Sequence, residues 1–376
     1  MANGIEMRKF NRNLVYRVLL GQDEMSKQEI ARAAGLSLPT VTQNLQELVE
    51  KGLVEETGIL ESTGGRRAAG FRCIRNARSS VGIDITQHHI RIAVVNLAGE
   101  VLCESERERF QFRDDDECYT SIADKVKAIV EETAVDTEGI LGVGLSVPSI
   151  VDRSHNRLTY SRIIDAPADV ARKLEKRLPF HVEVYNDANA AGYAELYETD
   201  TQDGHEELCF YLMLSNSVGG AIINNSEIYL GYNGRSAEIG HVRIVPDGKE
   251  CYCGQKGCVN AYCSAKILSQ ETDGELEVFF NELEKGNEKY RQLFREYLRY
   301  LAITIINIRM ICDGLIIVGG YVGAYMKDYM EDLKKMCAEL DPYSNSADYL
   351  KPCSFTHDAS AVGSALYFVG DFINNL

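Results

Sequence analysis

At 376 residues with 45% apolar content the chain is too long for one ordinary core and apolar enough for globular folding, and no apolar run approaches the ~20 residues of a membrane helix. Eleven cysteines without a basic start and an apolar signal stretch exclude a small secreted disulfide scaffold and predict a reducing, cytoplasmic setting. The net charge of −16 argues against nucleic-acid binding by the chain as a whole, but residues 1–80 hold 12 Lys+Arg against 9 Asp+Glu, a net +3 that leaves −19 for the remainder.

Helical spacing of Leu14, Val15, Val18 and Leu19 predicts a first helix over Asn11 to Leu20. Ser26-Lys27-Gln28-Glu29 is a capping box that starts a second, which runs through Ile30 and Ala33 to Gly35. A third begins at Ser37, carries Pro39 in its first turn and stops at Gly52. Two short helices joined by a glycine turn are the helix-turn-helix pattern, and the second belongs in the DNA major groove. Ser37, Thr40, Thr42, Gln43 and Gln46 are its candidate DNA contacts, since small polar groups can bond base edges or phosphates. Two strands follow around S-T-G-G-R-R, predicting a wing whose tip bears Arg66 and Arg67. A plain helical bundle with a surface arginine pair is the competing reading. The head is set at residues 1–76.

Asn76 to Ser80 reads as a polar break before a body over residues 81–376. Val81–Ile85, Ile90–Val95 and Val101–Glu104 form a predicted meander, followed by a helix over Tyr119 to Glu132 and a strand over Leu141 to Val147. A helix over Pro167 to Leu178, a strand over Val182 to Tyr185 and a helix from Asp187 to Leu196 complete one α/β unit. Strands over 208–214, 219–224 and 227–230, a helix over 288–311, a strand over 315–318, a helix over 324–340 and a closing helix over 359–372 loosely repeat it. Two such halves predict two α/β lobes with a ligand cleft between them.

Between the strands and the long helix lies E-I-G-H-V-R-I-V-P-D-G-K-E-C-Y-C-G-Q-K-G-C, residues 238–258. Its H-x9-C-x-C-x4-C spacing, with Gly254 and Gly257 letting the loop double back, predicts a metal knuckle of His241, Cys251, Cys253 and Cys258. Four protein ligands with no open position describe a structural zinc site. Cysteine is also a common small core residue, but three within eight positions among Gly and charged residues suit a core poorly.

E-x-G-H at Glu238–His241 followed by C-x-C-G-x-x-G-C, and N-D-A-N at Asn186–Asn189, are the motifs through which the chain resembles the ROK family (repressor, open reading frame, kinase) over nearly its whole length. G-G-R at Gly64–Arg66 is the feature its xylose-repressor and N-acetylglucosamine-repressor types carry in their heads. The resemblance implies a body with an actin-like, sugar-kinase-like ATPase fold. It also implies that Asn186, Asp187, Glu238 and His241 meet a sugar, with Asp187 at the position of the kinases' general base. Ser149 and Asn260 stand where the kinases have Gly and Glu, which points to altered selectivity. The kinase phosphate loops are replaced by Thr86-Gln87-His88 and by Ser215-Asn216-Ser217-Val218-Gly219; only the turn at Gly319-Gly320 persists. The expectation is therefore a non-enzymatic regulator, usually a repressor, that binds operator DNA as a homodimer or tetramer and answers to a sugar or sugar phosphate. A sugar kinase with an appended head, and a DNA-binding protein whose body is only a dimerisation scaffold, are the alternatives.

Overall fold

The computed structural model describes residues 4–59, 69–133, 135–200, 208–356 and 358–376. The predicted wing tip, Arg66 and Arg67 included, lies outside them. In the head, α1 (Gly4–Leu20), strand β1 (Met25–Ser26), α2 (Lys27–Ala34) and α3 (Leu38–Glu50) precede a hairpin of β2 (Val54–Ile59) and β3 (Ala69–Cys73), with β1 completing the sheet on β3. The capping box forms as read: Ser26 N donates to Glu29 Oε2 at 2.8 Å and Glu29 N to Ser26 Oγ at 3.3 Å. Gly35 ends α2 in the left-handed conformation, where a side chain would be strained. Val15, Leu19, Ile30, Val41, Leu45 and Leu48 close the small core.

The first lobe holds β4 (Ser79–Ile85), β5 (His89–Asn96), β6 (Val101–Glu104), β7 (Glu108–Arg109), α4 (Asp116–Glu132), β8 (Ile140–Val147), β9 (Ser149–Asp152), β10 (Arg157–Ser161), α5 (Val170–Glu175), β11 (Val182–Asn186) and α6 (Asp187–Asp200). Its sheet runs β11-β8-β4-β5-β6, parallel from β11 to β4 and antiparallel beyond. The second lobe holds β12 (Leu208–Leu214), β13 (Val218–Asn224), β14 (Glu227–Ile228), α7 (Asn260–Cys263), α8 (Ala265–Ser269), α9 (Leu276–Glu284), α10 (Glu288–Arg309), β15 (Leu315–Gly319), α11 (Gly320–Gly323), α12 (Met330–Leu340) and β16 (Leu350–Pro352), after which α13 (Ala359–Asn374) returns to the first lobe. Its order β14-β13-β12-β15-β16 repeats the plan: a three-strand meander, then two parallel additions. Among the described residues no helix is long and apolar enough to cross a membrane.

Three expectations change. The polar break is shorter than read, because Ser79 and Ser80 are fully buried as the first residues of β4 and Ser80 Oγ donates to Ala365 O at 2.8 Å. The helix expected over 167–178 shrinks to α5, and the one over 324–340 is a 3-10 turn over Met326–Tyr329 followed by α12, with the short α11 ahead of both. The β9–β10 hairpin was not foreseen.

Although last in sequence, α13 packs on the first lobe, against β4, β8 and α6. Contact there is backbone to backbone: a Cβ on Gly82 would lie 1.8 Å from Ala361 O, one on Gly144 2.1 Å from Ser364 O, and one on Gly363 1.7 Å from Ala190 O. The far end of α13 meets the head. Asn13 Nδ2 donates to Asn374 O at 2.9 Å, Arg17 Nη2 to Asn374 Oδ1 at 2.8 Å, Lys9 Nζ to Asn375 Oδ1 at 2.6 Å, and Arg12 to Leu376 O. Ile373 and Leu376 continue the head's apolar cluster into the body.

Candidate functional site

Between the lobes three cavities run together. The inner one, about 370 Å³, is lined by Ser149, Asn186, Asp187, Glu238, His241 and Tyr252 among others. A second of about 180 Å³ shares Asp187, Arg162 and Tyr252 with it and adds Asp84, Gln87, Ser215 and Lys266. A third of about 800 Å³ joins the second at Asn216, Lys266 and Tyr321.

The strand-to-helix junction of β11 and α6 positions the pair Asn186-Asp187. Asn186 Oδ1 accepts from Asn189 N at 3.0 Å, while its Nδ2 donates to Ser149 O at 3.1 Å and Asp187 Oδ1 at 3.2 Å. Asp187 Oδ1 also accepts from Ala188 N at 2.9 Å. Burial, with Asp84 and Glu238 nearby, nevertheless pushes the Asp187 carboxyl up to about 8, so at neutral pH it keeps its proton. Asp84 is raised to about 6, again by burial, and accepts from Ser146 Oγ at 2.9 Å. Glu238 is also raised by burial, against the pull of Arg235. A cleft of carboxyls able to donate as well as accept suits hydroxyl-rich ligands.

Five of the six predicted ligand residues face this space; Asn260 does not. It is buried, and its Oδ1 accepts from Val218 N at 2.8 Å, anchoring the start of β13. Ser149 Oγ donates to Ser161 Oγ at 2.8 Å across the β9–β10 hairpin. The sequence reading missed Arg162, whose Nη1 donates to Tyr252 O at 3.1 Å and ties that hairpin to the cysteine loop. It also missed Glu195, whose buried carboxylate accepts from Ser354 N and Phe355 N and fixes the loop beneath Phe355 and Thr356. Tyr252 carried a signal: a side chain between two converging cysteines must point away from them.

The knuckle forms as read. The ligand atoms of His241, Cys251, Cys253 and Cys258 lie within 4.8 Å of one another and could hold a metal ion. Cys251 Sγ is 3.8 Å from His241 Nδ1 and Cys253 Sγ is 3.8 Å from Cys258 Sγ. Nε2 of the same imidazole lies 3.2 Å from the Tyr252 hydroxyl, so one ring faces the thiols with one edge and the cavity with the other.

At the expected phosphate loops, Thr86 N donates to His89 O at 2.9 Å and His89 N to Thr86 Oγ1 at 3.2 Å, which closes the turn on itself. In the head, Ser37, Thr42, Gln43 and Gln46 of the α3 region are exposed. Thr40 is half-buried; its hydroxyl is 2.8 Å from Ser37 Oγ and belongs to the helix cap.

Residues 80–370 match the ROK family model and residues 12–55 a winged helix-turn-helix DNA-binding model. The xylose repressor of Bacillus subtilis is 26% identical over 268 residues, 71% of this chain and 69% of that protein. The N-acetylglucosamine repressor of Escherichia coli O6:H1 is 25% identical over 265 residues, covering 70% of this chain and 64% of that protein. Among solved structures, a ROK family transcriptional regulator homologous to the Escherichia coli MLC protein superposes with a TM-score of 0.77 at 18% identity, covering 99% of this chain and 98% of the other. The ROK hexokinase of Thermus thermophilus gives 0.61 at 23% identity over 77% of this chain and 97% of its own.

Proposed function

The chain belongs to the ROK family, and we propose that it is a DNA-binding transcriptional repressor of carbohydrate genes whose operator affinity is set by a sugar or sugar derivative in the interlobe cleft. It works as two units, a head of residues 1–76 and a body of residues 81–376. Thr42, Gln43 and Gln46 read the major groove, with Ser37 capping the helix start and bonded to Thr40 beside them, and with Arg66 and Arg67 on phosphates. Ser149, Asn186, Asp187, Glu238 and His241 take the sugar. The relatives named as xylose and N-acetylglucosamine repressors support the reading.

One observation carries it: a single helix touches both the cleft and the head. Ala359 and Ser360 at the start of α13 line the cleft, and Ser360 Oγ donates to Asp187 O at 3.2 Å. Asn374 at its other end accepts from α1 of the head. Sixteen residues of helix span about 24 Å. A ligand that shifts the Asp187 end relative to the second lobe moves the seat of α1, and typical couplings of this kind are worth about 1–3 kcal/mol. Paired heads on a two-fold operator require a homodimer, or a tetramer of such dimers.

The metal is zinc in a structural role. Tetrahedral zinc with sulfurs at 2.3 Å separates them by about 3.8 Å, which fits the Cys253–Cys258 spacing. Bound zinc would fix the loop and orient His241 through Nδ1, leaving Nε2 toward the ligand. A sugar kinase is the weaker reading, since the Thr86–His89 turn consumes amides that phosphate cradling needs and side chains stand at Ser215 and Ser217. Operator-shift assays on upstream DNA, with and without sugars, test the proposal. Sugar-dependent release is expected, and ATP-dependent sugar phosphorylation at about 1 per second or above would overturn it.

A further inference from the structure

The inner cavity has a floor and a rim of different character. Asn186, Asp187, Glu238 and His241 line it half-buried, whereas Tyr160, Arg162, Arg235 and Tyr252 line the same cavity exposed. Tyr160 and Tyr252 each leave 47% of their surface to solvent, yet both are held in place. The Arg162 guanidinium lies over the Tyr160 ring, 5.9 Å from its centroid, and Nη1 of the same residue donates to Tyr252 O at 3.1 Å. The Tyr252 ring stands edge-on to His241, centroids 5.3 Å apart and planes at 72°, with its hydroxyl 3.2 Å from Nε2. One arginine thus braces an aromatic residue from each lobe, and among the described residues its side chain makes no other hydrogen bond and no ion pair. The loop after β14 packs on the same hairpin, since a Cβ on Gly234 would lie 2.6 Å from Val151 O, and it carries Tyr229 and Tyr232 exposed beside Arg235. Isolated surface aromatics need no explanation, but rings preset around the mouth of a polar cavity form a built surface.

We infer that Tyr160, Arg162 and Tyr252 form a second subsite, which takes the next pyranose unit of an oligosaccharide whose first ring meets Asn186, Asp187, Glu238 and His241. The inference rests on the reading of the cleft as the effector site and names the size class of that effector. A pyranose offers hydroxyls at its edge and C–H groups on its faces. The hydroxyls suit the uncommitted guanidinium donors of Arg162, and the weakly positive C–H face suits the negative face of a tyrosine ring. Rings already braced lose little freedom when a ligand settles on them. The volume agrees, since about 370 Å³ lies in the range of cavities that take drug-sized molecules, larger than one sugar ring. Tyr160 belongs to the first lobe and Tyr252 to the second, so a unit touching both fixes the lobes against each other, the differential contact that a conformational effector needs.

Calorimetry on the full chain tests this with three pairs: xylose and xylobiose, glucose and cellobiose, N-acetylglucosamine and N,N′-diacetylchitobiose. At least one disaccharide is expected to bind roughly tenfold more tightly than its monosaccharide, the worth of covering about 50 Å² of apolar surface. Tyr160→Ala should bring that ratio close to one, and Tyr160→Trp should restore it because indole offers a larger face. Tyr160 lies outside the cysteine loop, so these variants act on the rim and leave the knuckle intact. Asp187→Ala should weaken both members of a pair and keep their ratio. Monosaccharides that bind as tightly as their disaccharides, or more so, would overturn the second subsite and leave the sugar-effector reading standing. So would a disaccharide preference that survives Tyr160→Ala. Silence from all six sugars would remove the subsite and the sugar-effector reading together.

Discussion

Gly254 and Gly257 sit three residues apart in the cysteine loop with nearly the same backbone, φ 86° and 78°, and alanine at the two positions should behave differently. Left-handed backbone costs a non-glycine residue roughly 1–2 kcal/mol, which applies to both. At Gly254 an added Cβ meets nothing within 4 Å, so the strain is the whole effect. At Gly257 it would lie 1.8 Å from Val245 O and 2.7 Å from Val245 C. Relieving that clash pulls apart the two segments that Gly257 O joins, where it accepts from Ile244 N at 2.8 Å and Val245 N at 3.3 Å. Two hydrogen bonds at about 1 kcal/mol each put Gly257→Ala about 2 kcal/mol below Gly254→Ala. For a chain of this size that gap is a difference of about 2–3 °C in melting temperature. Because Cys258 follows directly, Gly257→Ala should also lose metal per chain while Gly254→Ala retains it. Thermal melts with metal analysis decide the matter; equal melting and equal metal in the two variants would refute the reasoning.

Raised carboxyls make stability pH-dependent in a defined direction. Burial holds Asp187 up to about 8 and Asp84 up to about 6, so between the ordinary carboxylate range and those values the native state binds more protons than the unfolded chain. Their stabilising contribution is complete at acid pH and is lost as pH rises toward about 8; unfolding free energies from denaturant titrations should fall across that window by at most about 1.4 kcal/mol per pH unit for each group, and Asp187→Asn should flatten the curve. Cys253→Ser should lower both metal content and melting temperature, and chelator dialysis should abolish the sugar response before operator binding, because His241 serves knuckle and cleft together. In the head, Gln43→Ala should change which bases are preferred, by about 1–3 kcal/mol at one position. Arg67→Ala should instead weaken binding to all sequences, with a salt slope shallower by about one, both read by fluorescence anisotropy.

Local chemistry was legible where one residue's reason for being there is complete within a few positions. Ser26 with Glu29, Ser37 ahead of Pro39, and the glycines among the cysteines each state their own geometry. Asp187 was legible only through its motif; what raises its carboxyl is burial in the folded cleft, reinforced by the charge of Asp84 more than a hundred residues away. Ser79 and Ser80 read as solvent-exposed because serine is usually so, but both are buried in β4 and Ser80 donates to Ala365 of α13, a contact with no trace in the local pattern. Asn260 was misjudged for a related reason: an amide beside a ligand cleft can equally hold up a strand, and only the Val218 bond distinguishes the two. The β9–β10 hairpin had a signal in D-R-S-H-N, whose Asn156 takes φ 47°, an αL position that asparagine tolerates.

The bonds between α1 and the end of α13 join residues as many as 366 positions apart. On the ribosome the head is therefore made first and its seat long afterwards. Until then the helix-turn-helix has no fixed bearing toward the body, because Ile373 and Leu376 have not yet joined its apolar cluster. Residues 374–376 thus complete the seat of the head on the body, and, if the proposed homodimer holds, loss of the last turn of α13 should yield protein that still touches DNA one head at a time but no longer discriminates half-site spacing.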